Sequence, residues 1–291
     1  MSAVAGAGVR PAAARRPFGY GVGATLSVLK WELRKLVWQK RTYLGFGAAV
    51  LVPLAFVIAL AFKSGSPNDV ALGRYIRESG LATPFVVLEF LSIWGLPLIT
   101  ALVAGDIVAA ESHNGTLKSI LTRSRERGQI FAAKVLATIT YTATVLLGMA
   151  AVALVAASIE WGFKPLTSLS GTQVSAMHGL GLLAATLGVY LLPLLGIAAF
   201  GLFLSTVTRN SAAAVVATLM YALLMQLLGA LPGTEIIRPY LLGEQFMAWH
   251  GFLRVPIDWK PIVRDFWVCA LYISIPLFAA YLVFLRRDVA D

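Results

Sequence analysis

Side chains capable of catalysis are few in this sequence, and none of them forms a recognisable catalytic pattern. His113, His178 and His250 lie far apart and lack the spacing of metal ligands. No Gly-Lys pair occurs, so the phosphate-binding loop GxxxxGK[ST] is absent and the chain cannot bind ATP by that route. The nucleophile elbow GxSxG is absent too. We therefore predict no catalytic residue, no metal site and no cofactor bound by this chain, and we expect it not to be an enzyme.

Two polar side chains lie inside long apolar runs and are candidates for a pathway through a membrane. A carboxylate such as Glu89 is costly at membrane depth, which makes it a functional candidate. It also lies close enough to the end of its run to reach the membrane interface or bond across helices. Gln226 is a better donor to a neighbouring helix than a ligand for a substrate. The single cysteine, Cys269, cannot form an internal disulfide and reads as a small buried apolar residue.

The composition excludes most soluble classes. Hydrophobic residues make up 58% of the 291 positions and charged residues 13%, whereas charged residues make up about 25% of an ordinary soluble domain. No soluble fold has enough interior for that much apolar surface. The composition therefore excludes an ordinary soluble enzyme, a disordered protein and a disulfide scaffold, and it indicates an all-α integral membrane protein.

Six apolar stretches are long enough to cross a hydrocarbon layer of about 30 Å, which takes about 20 helical residues. We predict six transmembrane helices, at about 43–62, 84–105, 131–157, 177–205, 211–231 and 266–285. The third and fourth are longer than needed and are expected to tilt or to extend into water.

The basic residues set the predicted orientation. Nearly all of the net charge of +10 falls in the segments on the same side as both termini. By the positive-inside rule that side is cytoplasmic, which predicts a multi-pass protein of the plasma membrane with both termini inside. Anionic lipid and a cytoplasmic partner explain the charge better than nucleic acid does.

The segment before the first span predicts an amphipathic helix. Residues 1–22 are rich in Ala, Gly, Pro and Arg and indicate a disordered cytoplasmic tail. Residues 23–42 carry too many charges to cross a membrane. At helical spacing, Leu26, Leu29, Leu33, Leu36 and Val37 form an apolar stripe, and cations that include Arg34 and Lys35 surround it. We expect this helix to lie along the membrane surface, with Trp31 and Trp38 as interfacial anchors or contacts to a partner. The six-span domain follows at 43–287, and 288–291 is a short cytoplasmic tail.

Two connections have alternative interpretations. Residues 105–130 combine a short apolar edge, Leu117, Ile120 and Leu121, with a basic cluster; they predict either a solvated loop or a short helix that docks onto a soluble subunit. Residues 232–265 are rich in proline and aromatic residues, and a structureless loop of that length is unusual. We expect short helices that dip into the outer leaflet, or else a folded cap.

Taken together, these features resemble the membrane subunit of type-2 ATP-binding-cassette (ABC) exporters. The resemblance covers about residues 24–287 and rests on the Lys30-Trp31-Glu32-Leu33-Arg34-Lys35 helix before span one, on the six-span order with a long loop before span six, and on one motif. That motif consists of Glu111, Gly115-Thr116-Leu117, Ile120-Leu121-Thr122-Arg123, Arg127 and Lys134. Ser124 stands where the family often has proline.

The resemblance implies that this chain forms a transport pathway and catalyses no reaction itself. Residues 111–122 are similar to the family's coupling helix, which contacts a separate ATPase subunit that binds ATP and magnesium. The helix at 24–41 is similar to the connecting helix at the membrane surface, and the long outer loop to a re-entrant pair of short helices. Two such units face each other around one pathway, so the resemblance implies a second copy or a related permease. A membrane-embedded lipid-modifying enzyme and a non-transporting sensor or immunity subunit stay open as alternatives.

Overall fold

A computed structural model describes residues 19–62, 65, 70–113, 127–208 and 210–286. The described part is mostly helical, as the composition predicts. The helices are α1 (Gly19–Val37), α2 (Lys40–Phe62), α3 (Ala82–Ser92), α4 (Gly95–Ala104), α5 (Ala109–His113), α6 (Arg127–Trp161), α7 (Ala176–Thr208), α8 (Ser211–Ala230), α9 (Leu242–Gln245) and α10 (Trp259–Arg286). Short 3-10 helices lie at Gly73–Tyr75, Arg238–Tyr240 and Ala248–Gly251.

Five of these helices are long and apolar enough to cross a membrane: α2, α6, α7, α8 and α10. They match five of the six predicted spans, with ends that differ by up to seven residues. This confirms the coarse prediction of a multi-pass helical membrane protein.

The second predicted span, 84–105, is not one straight helix. The structure breaks it between α3 and α4 and bends the two halves by 62°. Gly95 begins α4 and Pro97 lies in its first turn. Proline cannot donate to the carbonyl four residues earlier, and its ring crowds that carbonyl, so the helix breaks just before it. The two halves make a sixth candidate span only if the bent pair is counted as a single span.

The core forms around α7. This helix packs against α4, α6, α8 and α10, while α1 and α2 pack on α6. Helices α6 and α7, with 35 and 33 residues, are longer than the spans predicted for them. α1 begins at Gly19 and ends at Val37, and a break at Trp38 and Gln39 separates it from α2, so the predicted 23–42 helix is slightly shifted.

The described residues are not wholly helical. Between α6 and α7 the chain forms two strands, β1 (Leu166–Thr167) and β2 (Gln173–Val174), which pair antiparallel with Leu166 opposite Val174. The turn between them places Gly171 at φ +79°, a conformation that glycine adopts without a steric penalty. The prediction of an all-α fold is therefore wrong at this hairpin, because two-residue strands leave no alternation in the sequence to detect.

The connection between α8 and α10 contains short helices. Whether they dip into the outer leaflet or form a cap above it stays a prediction. The connection is packed on protein: Trp249 and Phe246 are buried, with ring centroids 5.5 Å from Phe85 and 5.2 Å from Tyr190. These aromatic contacts attach the connection to α3 and α7.

Candidate functional site

A buried group of charges joins the first helix to the base of the predicted coupling segment. Lys134 of α6 is fully buried, and its Nζ lies 2.7 Å from Oε1 of Glu111 and 3.0 Å from Oε1 of Glu32. Lys134 also donates to the carbonyl of Ile107 at 3.2 Å. Lys35 pairs with Glu111 from the side of α1. We call Glu32, Lys35, Glu111 and Lys134 the ionic cluster.

The charges of the ionic cluster balance, with two ammonium groups and two carboxylates. A buried ammonium is strongly unfavourable alone and is tolerated when carboxylates and carbonyls satisfy it. Glu32 and Lys35 are three residues apart, so they lie on the same face of α1. Because α1 packs on α6, this face meets Lys134. The cluster therefore fixes α1, α5 and α6 relative to one another.

A second polar contact holds the chain just before α5. Asp106 pairs with Arg41 of α2 and accepts a hydrogen bond from the hydroxyl of Ser211 at the start of α8. Ser205 of α7 accepts from the backbone N–H groups of Val108 at 3.2 Å and Ala109 at 2.9 Å. Side chains from α2, α7 and α8 thus anchor the approach to α5.

The predicted coupling residues divide between described and undescribed parts of the chain. Glu111 lies in the ionic cluster, whereas Gly115, Thr116, Leu117, Ile120, Leu121 and Arg123 lie outside the described residues. The segment they occupy leaves α5 at His113 and returns at Arg127, the first residue of α6. Arg127 donates from Nη1 to the carbonyl of Leu285 in α10 at 2.8 Å. Both flanks of the segment are thus attached to the helix bundle.

The predicted surface-helix residues separate into two groups on α1. Leu29 and Leu33 pack against the core and Leu36 is buried, whereas Leu26, Trp31, Arg34, Val37 and Trp38 are exposed. Most of the apolar stripe thus contacts protein rather than being free for lipid. Trp38, in the break after α1, is 79% exposed and is the more exposed of the two predicted anchors. Nζ of Lys35 lies 5.6 Å from the ring centroid of Trp31.

The two candidate pathway residues lie near the break between α3 and α4, and they face different groups. Gln226 donates from Nε2 to the carbonyl of Ser92 at 3.2 Å, as expected for an interhelical donor. Glu89 faces His250, with Oε2 and Nε2 3.7 Å apart. Tyr190 donates to the carbonyl of Leu88 at 2.6 Å. A side chain from α8 therefore satisfies the Ser92 carbonyl that the break frees, as a broken span requires, and Tyr190 adds a bond between α7 and α3.

Sequence reasoning missed three buried acids: Glu32, Asp106 and Asp265. Glu32 falls between Leu29, Leu33 and Leu36 at helical spacing, so its position within the apolar stripe was a usable signal. Asp265 shares the buried face of α10 with Cys269, whose thiol donates to it at 3.0 Å. Within the described part of the chain, no three His, Cys, Asp or Glu side chains are grouped closely enough to hold a metal ion.

Comparison with known proteins identifies a family but no activity. The comparison with curated proteins gives no match. The model of a family described as "Protein of unknown function (DUF2705)" matches residues 49–290. This range includes the broken span, Glu111 and Lys134, and it begins after Glu32 and Lys35. Because the match covers most of its length, this chain belongs to the DUF2705 family.

Proposed function

We propose that this chain is the membrane-spanning permease subunit of an ATP-driven exporter of the type-2 ABC class. It lies in the plasma membrane with six spans, the bent α3–α4 pair being one, and with both termini in the cytoplasm. It forms the pathway with a second copy or a related permease, and a separate ATPase subunit hydrolyses ATP. The observation that carries the proposal is the ionic cluster, which attaches the base of the segment resembling a coupling helix to three helices.

The proposed mechanism is mechanical. ATP binding closes the partner ATPase, which moves the segment at 111–122. Lys134 and Glu32 transmit that movement from Glu111 to α6 and α1, because buried ion pairs resist separation. The run from α5 through the turn at 105–108 to α4 carries it to the break beside Glu89. For this coupling to do work, ATP must bind with different affinity to the two arrangements of the permease.

The break gives the bundle a place to bend. A span interrupted between Ser92 and Gly95 can change its angle without stretching a continuous hydrogen-bond ladder. Glu89 lies one turn before that point and pairs with the short helix that carries His250. A change of the bend would therefore alter the contact between Glu89 and the connection before α10, which we propose lies outside the cell.

Purification of the tagged chain from its native membrane, followed by reconstitution of the complex, tests the proposal. We expect an ATPase subunit to copurify, and Leu117→Asp to abolish the increase in ATP turnover that the permease causes. Ile236→Asp is the matched control, because Ile236 is 86% exposed and lies in the connection between α8 and α10. Normal stimulation by a correctly inserted Leu117→Asp protein would refute the docking role. A chain that purifies alone and turns over a lipid substrate would instead support the enzyme alternative.

A further inference from the structure

An aromatic groove opens between α7, α8 and α10, away from the ionic cluster. Its volume is about 420 Å³, and its lining includes Phe200, Tyr221, Trp267, Leu271 and Tyr272. Phe200 and Tyr221 stack with ring centroids 3.9 Å apart. At one end Tyr240 packs against Trp267, with ring centroids 5.6 Å apart. No lining residue carries a charge, so the groove suits a hydrocarbon chain rather than a polar ligand.

The mouth of the groove faces hydrocarbon if the chain spans a membrane. The three helices that line it are all candidate spans, and Trp267, Leu271 and Ile275 at its edge are about half exposed or more. The residues of α10 that line the groove run from Trp267 to Pro276. At 1.5 Å per residue this stretch of helix is roughly 13 Å long. That is close to half of a hydrocarbon layer of about 30 Å. The groove is therefore about as long as one leaflet is thick.

A cation, Arg264, lies on α10 about one helical turn before Val268, which lines the groove. Arg264 precedes Val268, Leu271 and Ile275 at intervals of four, three and four residues, which places it on the same helix face. Its Nε–H is buried without a hydrogen-bond partner, and among the described residues no carboxylate pairs with it. The adjacent Asp265 bonds to the thiol of Cys269.

We propose that this groove binds an anionic phospholipid of the surrounding membrane, with an acyl chain against Phe200 and Tyr221 and the phosphate at Arg264. The apolar lining of the groove favours an acyl chain, and the unpaired guanidinium of Arg264 favours a negatively charged headgroup. Tyr240 and Trp267 lie between the two, where amphipathic rings are common in membrane proteins. This site depends on the helices crossing a membrane and not on any ATPase.

Native mass spectrometry of the full chain in detergent tests the site with two probes, phosphatidylglycerol and phosphatidylcholine with identical acyl chains. We expect the wild-type chain to prefer phosphatidylglycerol by about tenfold, as one charge-assisted contact would provide. Arg264→Gln should remove this preference and Arg264→Lys should retain it. Arg254→Gln is the matched control, because Arg254 is exposed and pairs with Asp258 at 3.3 Å. Leu271→Trp should weaken binding of both lipids by narrowing the groove.

An equal affinity of the wild-type chain for both lipids would overturn the proposal, as would an undiminished preference in Arg264→Gln. A second copy of the chain is the competing occupant. If Leu271→Trp separates a dimer and leaves lipid binding unchanged, the groove is an interface between copies and the lipid site is wrong. Failure of this experiment would leave the ATPase coupling test unaffected, since no ATPase is present.

Discussion

The ammonium group of Lys134 lies 2.7 Å from the carboxylate of Glu111, although the two residues are separated in sequence by the predicted coupling segment. The contact joins the last helix before that segment to the first helix after it. Since Lys134 also contacts Glu32, movement at either flank of the segment reaches α1. This closed arrangement of charges is the basis of the proposed coupling.

Loss of the lysine should destabilise the fold strongly. Lys134→Met leaves the carboxylates of Glu32 and Glu111 buried without their shared cation, and removing one partner of a buried ion pair costs about 3–5 kcal/mol. We expect a clearly lower melting temperature in detergent. Lys164→Met is the control, because Lys164 is exposed and its loss should change little. A Lys134→Met protein as stable as the control would show that the ionic cluster does not hold the helices together.

The attachment of α7 to α3 should depend in part on one hydroxyl, that of Tyr190. Tyr190→Phe removes the donor that lies 2.6 Å from the carbonyl of Leu88, and that carbonyl keeps its helical bond within α3. The net contribution of one hydrogen bond to stability is about 0.5–1.5 kcal/mol. We expect the free energy of unfolding to fall by that amount, measured by denaturant titration in micelles. Tyr43→Phe, at a 60% exposed position, should be neutral, and equal effects in the two variants would contradict this role.

The sequence predicted the helices much better than the contacts between them. Apolar length alone identifies α2, α6, α7, α8 and α10, because a hydrocarbon layer demands about 20 apolar residues. The bend at Gly95 and Pro97 had a local signal, since a proline can break a span or be tolerated in it. The pairing of Lys134 with Glu32 had almost none. It joins residues 102 positions apart and depends on how α1 packs on α6.

The same limit applies to the candidate site. Glu89 and Gln226 were predicted because polar residues in apolar runs stand out in the sequence. Their partners, His250 and the carbonyl of Ser92, come from other elements and could not be read from spacing. The short helices after α8 were predicted from proline and aromatic content. Their burial against Phe85 and Tyr190 could not be, because it depends on tertiary packing.

Neutralising Glu89 should affect function more than assembly. Glu89→Gln keeps the side-chain shape and removes the charge that faces His250 at 3.7 Å. We expect altered ATP turnover by the reconstituted complex, with an unchanged melting temperature and elution volume. Glu160→Gln at the exposed end of α6 serves as the control. Identical turnover in both variants would remove Glu89 from the pathway.

The proposed orientation predicts which positions a membrane-impermeant thiol reagent reaches. In a Cys269→Ser background, which retains a donor to Asp265, Thr116→Cys should be labelled only after the cells are permeabilised. Ile236→Cys, in the connection after α8, should be labelled in intact cells. The labelling is read from the mass shift of the protein on a gel. Labelling of position 116 in intact cells would reverse the topology and exclude contact with a cytoplasmic ATPase.

Site-specific photo-crosslinking from position 117 in the native host tests the central claim most directly. A photoreactive amino acid replaces Leu117 in one strain and Ile236 in a control strain, and the captured proteins are identified by mass spectrometry. The account predicts that position 117 captures a nucleotide-binding ATPase subunit and that position 236 does not. A correctly inserted protein that captures no ATPase from position 117 would contradict the proposal that a separate ATPase subunit drives this chain.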